Sequence, residues 1–388
     1  MSNTPITGRL PNRFEAVRAA IARNQTENDE MGFQFCIMRQ GEVLIDICSG
    51  YADKAQTVLV TPEHLFSVYS SGKAMAALVI AYLAEEDRLG YDQNIQSIWP
   101  DFGASENQNG KGALSVAQIM SHQAGLSGIT DPEWTGEDWY DWDKTCAQLA
   151  GQEPLFTPAS VSGYHPITFG FLAGEIARRT DKQIRSLGQI LREDLVNPAC
   201  ANIAGADVWI GLPATEHHRC VYMNRPKRLA DMGEITPATR AAFLQKSAAP
   251  SGRPKSDWYK AEFAGSNCQA TAKGLAIMMQ AYANGFIRDM PVLSEDMLAH
   301  ASTSRIKGPD QVLPFEIDFA AGLMRNNTNF FYGPNINTLG HSGWGGSCVF
   351  ADPDTGLHGA YVMNNQQNSL LGDVRPRRLI DAVYAALT

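Results

Sequence analysis

The sequence predicts a mixed α/β fold of the α+β kind, in which one antiparallel sheet is assembled from both chain ends and a mostly helical region is inserted between them. Three observations predict it. Apolar-rich runs at 33 to 39 and 42 to 48 meet at Gln40-Gly41, a spacing that reads as a β-hairpin. A second pair at 346 to 352 and 358 to 364 surrounds the turn sequence Asp352-Pro353-Asp354-Thr355-Gly356. Between the two hairpins, 3.6-residue periodicity dominates.

In chain order, residues 12 to 24 form an amphipathic helix ahead of the first hairpin. Helical periodicity then recurs at 73 to 88, 115 to 123, 168 to 179, 184 to 195, 237 to 247 and 271 to 284. Residues 372 to 386 close the chain as a helix. A sheet must have its apolar face covered, so the terminal helices are expected on it. The expected organisation is a discontinuous α/β part, 1–75 with 290–388, and a mostly helical part, 76–289, with a cleft between them. The chain contains no internal repeat.

With 388 residues, 44% hydrophobic and 19% charged, the chain is an ordinary globular protein. A net charge of -9 disfavours nucleic acid, which is bound mainly by Lys and Arg. The short run Arg225-Pro226-Lys227-Arg228 reads as a solvated loop rather than a binding patch. The first residues lack a basic-then-apolar leader, and no apolar run approaches the roughly 20 residues that span a bilayer. A cytoplasmic location without membrane attachment is therefore expected. The seven cysteines are scattered and never form a C-x-x-C pair, which fits reduced, buried thiols and no structural zinc. His217-His218 cannot place both rings on one face, so no metal or other cofactor is expected.

Three elements carry chemistry. Ser70-Ser71-Gly72-Lys73 opens directly into the apolar helix that follows, and one helical turn brings the Lys73 amine to the Ser70 hydroxyl. Ser-x-x-Lys recurs at Ser304 to Lys307, and a helix N-cap followed by a solvated lysine would read the same way. The difference is that the apolar run after Lys73 is too long for a surface helix, so desolvation should lower the amine's pKa and leave it useful as a base. Gly163-Tyr164-His165-Pro166 places a tyrosine before a second helix. A phenol acts as a base only if a cation such as Lys73 stabilises its phenolate; otherwise Tyr164 simply packs there. Gly340-His341-Ser342-Gly343-Trp344-Gly345-Gly346 can bring backbone N–H groups close to an oxyanion, or can be a tight turn entering a strand.

At these elements the chain resembles the class C β-lactamase-like serine hydrolases, the penicillin-recognising fold, and within them the branch called family VIII carboxylesterases. Ile98-Trp99-Pro100-Asp101-Phe102, Ser121-His122-Gln123-Ala124-Gly125-Leu126, Asp207-Val208-Trp209-Ile210-Gly211 and Thr271-Ala272-Lys273-Gly274 extend the resemblance over roughly 12 to 386. It implies that Ser70 forms an acyl-enzyme, that Lys73 and Tyr164 are the general-base pair, and that the Ser70 and Trp344 amides form the oxyanion hole. It also implies that His341-Ser342-Gly343 stand where β-lactamases carry Lys-Thr-Gly.

Two departures bear on substrate. The Tyr-x-Asn triplet of β-lactamases is Tyr164-His165-Pro166 here, and the lysine of Lys-Thr-Gly is His341. Both remove help for a charged, amide-rich ligand and favour uncharged esters. The expected activity is hydrolysis of short-chain carboxylic esters, with deacylation by water activated at Tyr164. His341, Ser342, Gly343, His165 and Trp142 are expected around the substrate, with the aromatic cluster Trp134, Trp139, Tyr140 and Trp142 as an acyl wall or as core. His122, in a turn after a helix, is expected to be structural.

An amidase, a D-peptidase, a weak β-lactamase or an acyltransferase would use the same residues. A non-catalytic sensor would not need all of Ser70, Lys73 and Tyr164. Gly340 to Trp344 also comes within one residue of the Gly-x-Ser-x-Gly elbow of α/β-hydrolases, but a strand rather than a helix follows it. Apart from a small-molecule ester, no partner is indicated, and the sequence leaves a homo-oligomer open.

Overall fold

The computed structural model describes residues 4–104, 110–226, 228 and 230–387. Lys227 of the basic run lies outside them. Nine strands form the main sheet: β1 (Thr7–Arg9), β2 (Gly32–Arg39), β3 (Glu42–Gly50), β4 (Ile306–Pro309), β5 (Glu316–Phe319), β6 (Met324–Arg325), β7 (Leu339–Ser342), β8 (Cys348–Asp352) and β9 (Leu357–Met363). Their order is β1-β3-β2-β9-β8-β7-β6-β5-β4, and each neighbouring pair is antiparallel. The expected sheet is present, and its centre is the pairing of β2 from one chain end with β9 from the other.

The first hairpin turns at Gln40 and Gly41, both at positive φ (50° and 84°), as in the primed turns that match strand twist. Alternation along β2 sorts the core into two layers. Phe33, Phe35 and Ile37 join Val17, Ile21, Leu379, Ile380 and Val383 of the terminal helices α1 (Glu15–Glu27) and α6 (Val374–Leu387). Cys36 and Met38 face the other layer. Each of the phenylalanines buried on this face contributes about 1.5–3 kcal/mol.

The second face is covered by α5 (Ala272–Asn284), which packs on β2, β8 and β9 although its sequence placed it in the inserted region. Thr271 caps its start by accepting from the Gly274 amide, and Gly285 ends it at φ 83°. Against the same core lie α2 (Lys73–Glu85), α3 (Trp142–Gly151) and α4 (Thr168–Thr180). The expected 184-to-195 and 237-to-247 helices are interrupted by π segments at Leu191–Val196 and Arg240–Leu244. All seven cysteines are free. Among the described residues, no helix is long and apolar enough to cross a membrane, and no cluster of His, Cys, Asp and Glu fits a metal.

Candidate active site

Helix α2 is apolar around nearly its whole circumference, and Lys73 through Ile80 are buried. Such a helix is stable only inside a core, and it draws its first residue in with it. Ser70 lies on the turn of 3-10 helix before it, Tyr69–Gly72, where amides have no partner within the helix. Tyr69 enters that turn at φ 46°, a left-handed conformation costing about 1–2 kcal/mol. This turns the chain sharply out of the short strand Phe66–Ser67.

The Lys73 side chain is fully buried. Its Nζ lies 2.7 Å from the Pro166 carbonyl, 2.8 Å from the Gly265 carbonyl and 3.2 Å from Ser70 Oγ. Burial, with no anion nearby, pushes the amine well below the ordinary lysine value. A neutral amine has two N–H donors and one lone pair. The two carbonyls can take both donors, and the lone pair then becomes available to the Ser70 hydroxyl once that hydroxyl turns from the Gly265 carbonyl, to which it donates at 3.3 Å.

Tyr164 is brought to the same place, with Lys73 Nζ 4.8 Å from the centre of its ring. Its oxygen has no hydrogen-bond partner of normal geometry, although Ser70 is near enough to act on its ionisation. Burial raises the phenol's pKa, Ser70 opposes that shift and the charge of Asp310 adds to it. That shift favours the protonated phenol.

Around this pair the walls are aromatic. His122 lies 4.9 Å from Tyr164, His341 6.0 Å and Phe319 6.5 Å between ring centres. Burial holds the imidazoles neutral, with His165 and His341 both lowered to about 3 and His122 pushed well below its ordinary value. His341 Nδ1 meets the Ser342 carbonyl at 2.9 Å, while its buried Nε2 has no partner. His122 takes φ 64° and accepts the His165 amide on Nδ1 at 3.2 Å, in keeping with a structural residue.

The glycine-rich loop after β7 closes over the nucleophile. A Cβ on Gly343 would lie 2.2 Å from the Val68 carbonyl, so only glycine lets the two backbones meet. The Gly343, Gly345 and Gly346 amides are all donated within the fold, to Ser347, Ser369 and Gly343 carbonyls. The Trp344 amide has no such partner, as an oxyanion donor requires. Two residues that sequence reasoning missed fasten the loop to the nucleophile's turn: Ser347 Oγ donates to the Val68 carbonyl at 2.7 Å and lies 3.0 Å from Ser71 Oγ. Behind the loop, the buried Arg375 donates to the Gly345 carbonyl at 2.7 Å and pairs with Asp373 and Glu30.

Three expected substrate contacts are corrected. Ser342 points to the opposite sheet face, where its Oγ lies 3.0 Å from the Tyr332 hydroxyl, because strand alternation gives the site side to His341. His165 has both ring nitrogens occupied by backbone, at Gly163 (2.5 Å) and at the Leu126 amide (3.1 Å), so it fixes the loop. Trp142 packs on Gly174 and Phe171 and donates to Glu175 at 3.0 Å. It lines a cavity of about 250 Å³ with Trp139, Tyr140 and Phe263, and none of its contacts involves Ser70, Lys73 or Tyr164. The second Ser-x-x-Lys is not helical, since Ser304 bonds Asp318 and Lys307 lies on β4.

Comparison with known proteins agrees with this architecture. The β-lactamase family matches residues 17–384. The chain belongs to the β-lactamase family. Among its relatives is the esterase/beta-lactamase LipL of Mycobacterium tuberculosis, 30% identical over 94% of this chain and 84% of that protein. A penicillin-binding protein homologue from Caulobacter crescentus is 46% identical, with a TM-score of 0.93 over 99% of this chain and 100% of that one. The crystal structure of a family VIII carboxylesterase is 35% identical, with a TM-score of 0.86 over 98% of this chain and 100% of that one. This β-lactamase-family protein is a hydrolase with the penicillin-recognising fold predicted from its sequence.

Proposed function

We propose that the protein is a carboxylesterase that cleaves short-chain, uncharged esters through an acyl-enzyme on Ser70. The observation that carries this reading is the fully buried Lys73 amine, held by two carbonyls with its Nζ 3.2 Å from Ser70 Oγ. In acylation, the Ser70 proton passes to Nζ as Oγ attacks the ester carbonyl, and the oxyanion accepts from the Ser70 and Trp344 amides. The proton then moves from Nζ, with the Tyr164 phenol as relay, to the departing alkoxide. In deacylation, water gives its proton to the neutral Nζ and Ser70 leaves reprotonated. The Tyr164 phenol thus donates, and the base is Lys73 in both steps.

An ester is favoured over a β-lactam because His341 is neutral and buried, and so offers no charge to a carboxylate. The likeness to a family VIII carboxylesterase and to the esterase/beta-lactamase LipL supports the same reading. We read the sheet part, 1–75 with 290–388 and covered by α5, and the rest of the helical part, 76–289, as the two walls of the cleft, and the enzyme as cytoplasmic. Purified protein should hydrolyse p-nitrophenyl acetate and butyrate much faster than nitrocefin. Ser70→Ala should lower ester turnover by at least about 10³-fold. Ester turnover that survives this change, or a preference for nitrocefin, overturns the proposal.

A further inference from the structure

Ser162 and Tyr164 flank a glycine, and apart from an isolated parallel bridge between Ser162 and Asp310 no helix or strand holds their segment. Asp310, on the turn between β4 and β5, holds it instead. One carboxylate oxygen accepts the amides of Tyr164 (3.0 Å), Val312 (2.8 Å) and Leu313 (2.9 Å), and the other accepts the Ser162 hydroxyl at 2.8 Å. The Gln311 amide adds a bond to the Ser162 carbonyl at 2.9 Å. Burial pushes the Asp310 carboxyl up from the ordinary aspartate value, and these hydrogen bonds oppose that shift. The same turn leads to Phe319, whose ring is parallel to that of Tyr164.

We infer that Asp310 is a positioning residue, which sets the Tyr164 phenol against Ser70 and Lys73 by gripping the tyrosine's own amide. This rests on the esterase reading. The phenol oxygen has no hydrogen bond of its own to locate it. Its place is therefore set by ring packing and by the backbone, and the backbone is held by this carboxylate. A side chain off by about 1 Å costs as much as 10²-fold in rate.

The test is a double-mutant cycle on a short-chain p-nitrophenyl ester. Asp310→Ala should lower kcat by at least about 10-fold with KM nearly unchanged. Asp310→Asn should restore most of it, because an amide oxygen accepts the same three N–H groups while its NH₂ donates to the Ser162 hydroxyl. In a Tyr164→Phe background, Asp310→Ala should cost little more. An equal fold-loss in both backgrounds, or an Asn variant no better than Ala, would overturn the inference. Failure of the esterase reading would show separately, as wild-type protein without ester turnover or as turnover indifferent to Ser70→Ala.

Discussion

At the residue scale, the amine of Lys73 governs the response to pH. Its folded pKa is lowered by burial, so it is neutral above that value and takes up a proton as the pH falls through it. Activity that needs the lone pair is therefore lost as the pH falls through that lowered value. We expect kcat/KM to fall on the acid side with a limb well below the ordinary lysine value of about 10. Lys73→Arg, which cannot give up its proton, should be inactive at every pH. A limb near 10, or an active Arg variant, contradicts the assignment. The Ser70–Lys73 pair was legible because a three-residue spacing and an apolar run encode a buried Ser–Lys pair, whereas Tyr164 was singled out by the family resemblance. The Pro166 and Gly265 carbonyls were not legible, since a backbone contact leaves no side-chain signature.

At the scale of elements, the site depends on two backbones meeting. The loop after β7 touches the Val68 carbonyl at Gly343, and the Ser71–Ser347 hydroxyl pair locks the contact. Gly343→Ala places a methyl 2.2 Å from that carbonyl and from Ser347 Oγ. The loop must then move away from Ser70, at a cost of about 1–3 kcal/mol in stability, and carry the Trp344 amide with it. Urea denaturation should show the loss, and kcat should fall by about 10² or more; an alanine variant with unchanged kcat would remove the loop from the chemistry. The two long hairpins and most helices were legible because their periodicity runs over many residues. Strands β4, β5 and β6 have only four, four and two residues, too few to show a period, and pairing rather than pattern makes them strands. The roles of Ser342 and His341 were separable only once the register of β7 fixed which face each occupies.

At the scale of the molecule, the site draws on four distant parts of one chain: the head of α2, the 162–167 segment, the Gly265 carbonyl and the loop after β7. That arrangement follows from closing one sheet with both chain ends, which the sequence disclosed through its paired apolar runs. The cover provided by α5 was hidden, since its apolar pattern does not say whether a helix or a sheet lies opposite. The sequence offers three serines in suggestive settings, and only one is placed to react: Ser70 has an amine at 3.2 Å, whereas Ser342 bonds Tyr332 and Ser304 bonds Asp318. The most direct measurement is peptide mass spectrometry of protein treated with a fluorophosphonate or quenched during turnover of a slow ester. The account predicts one adduct per chain, on the peptide bearing Ser70, and absent in Lys73→Arg. An adduct on the peptide bearing Ser342, or none on Ser70 while ester is being consumed, would contradict it.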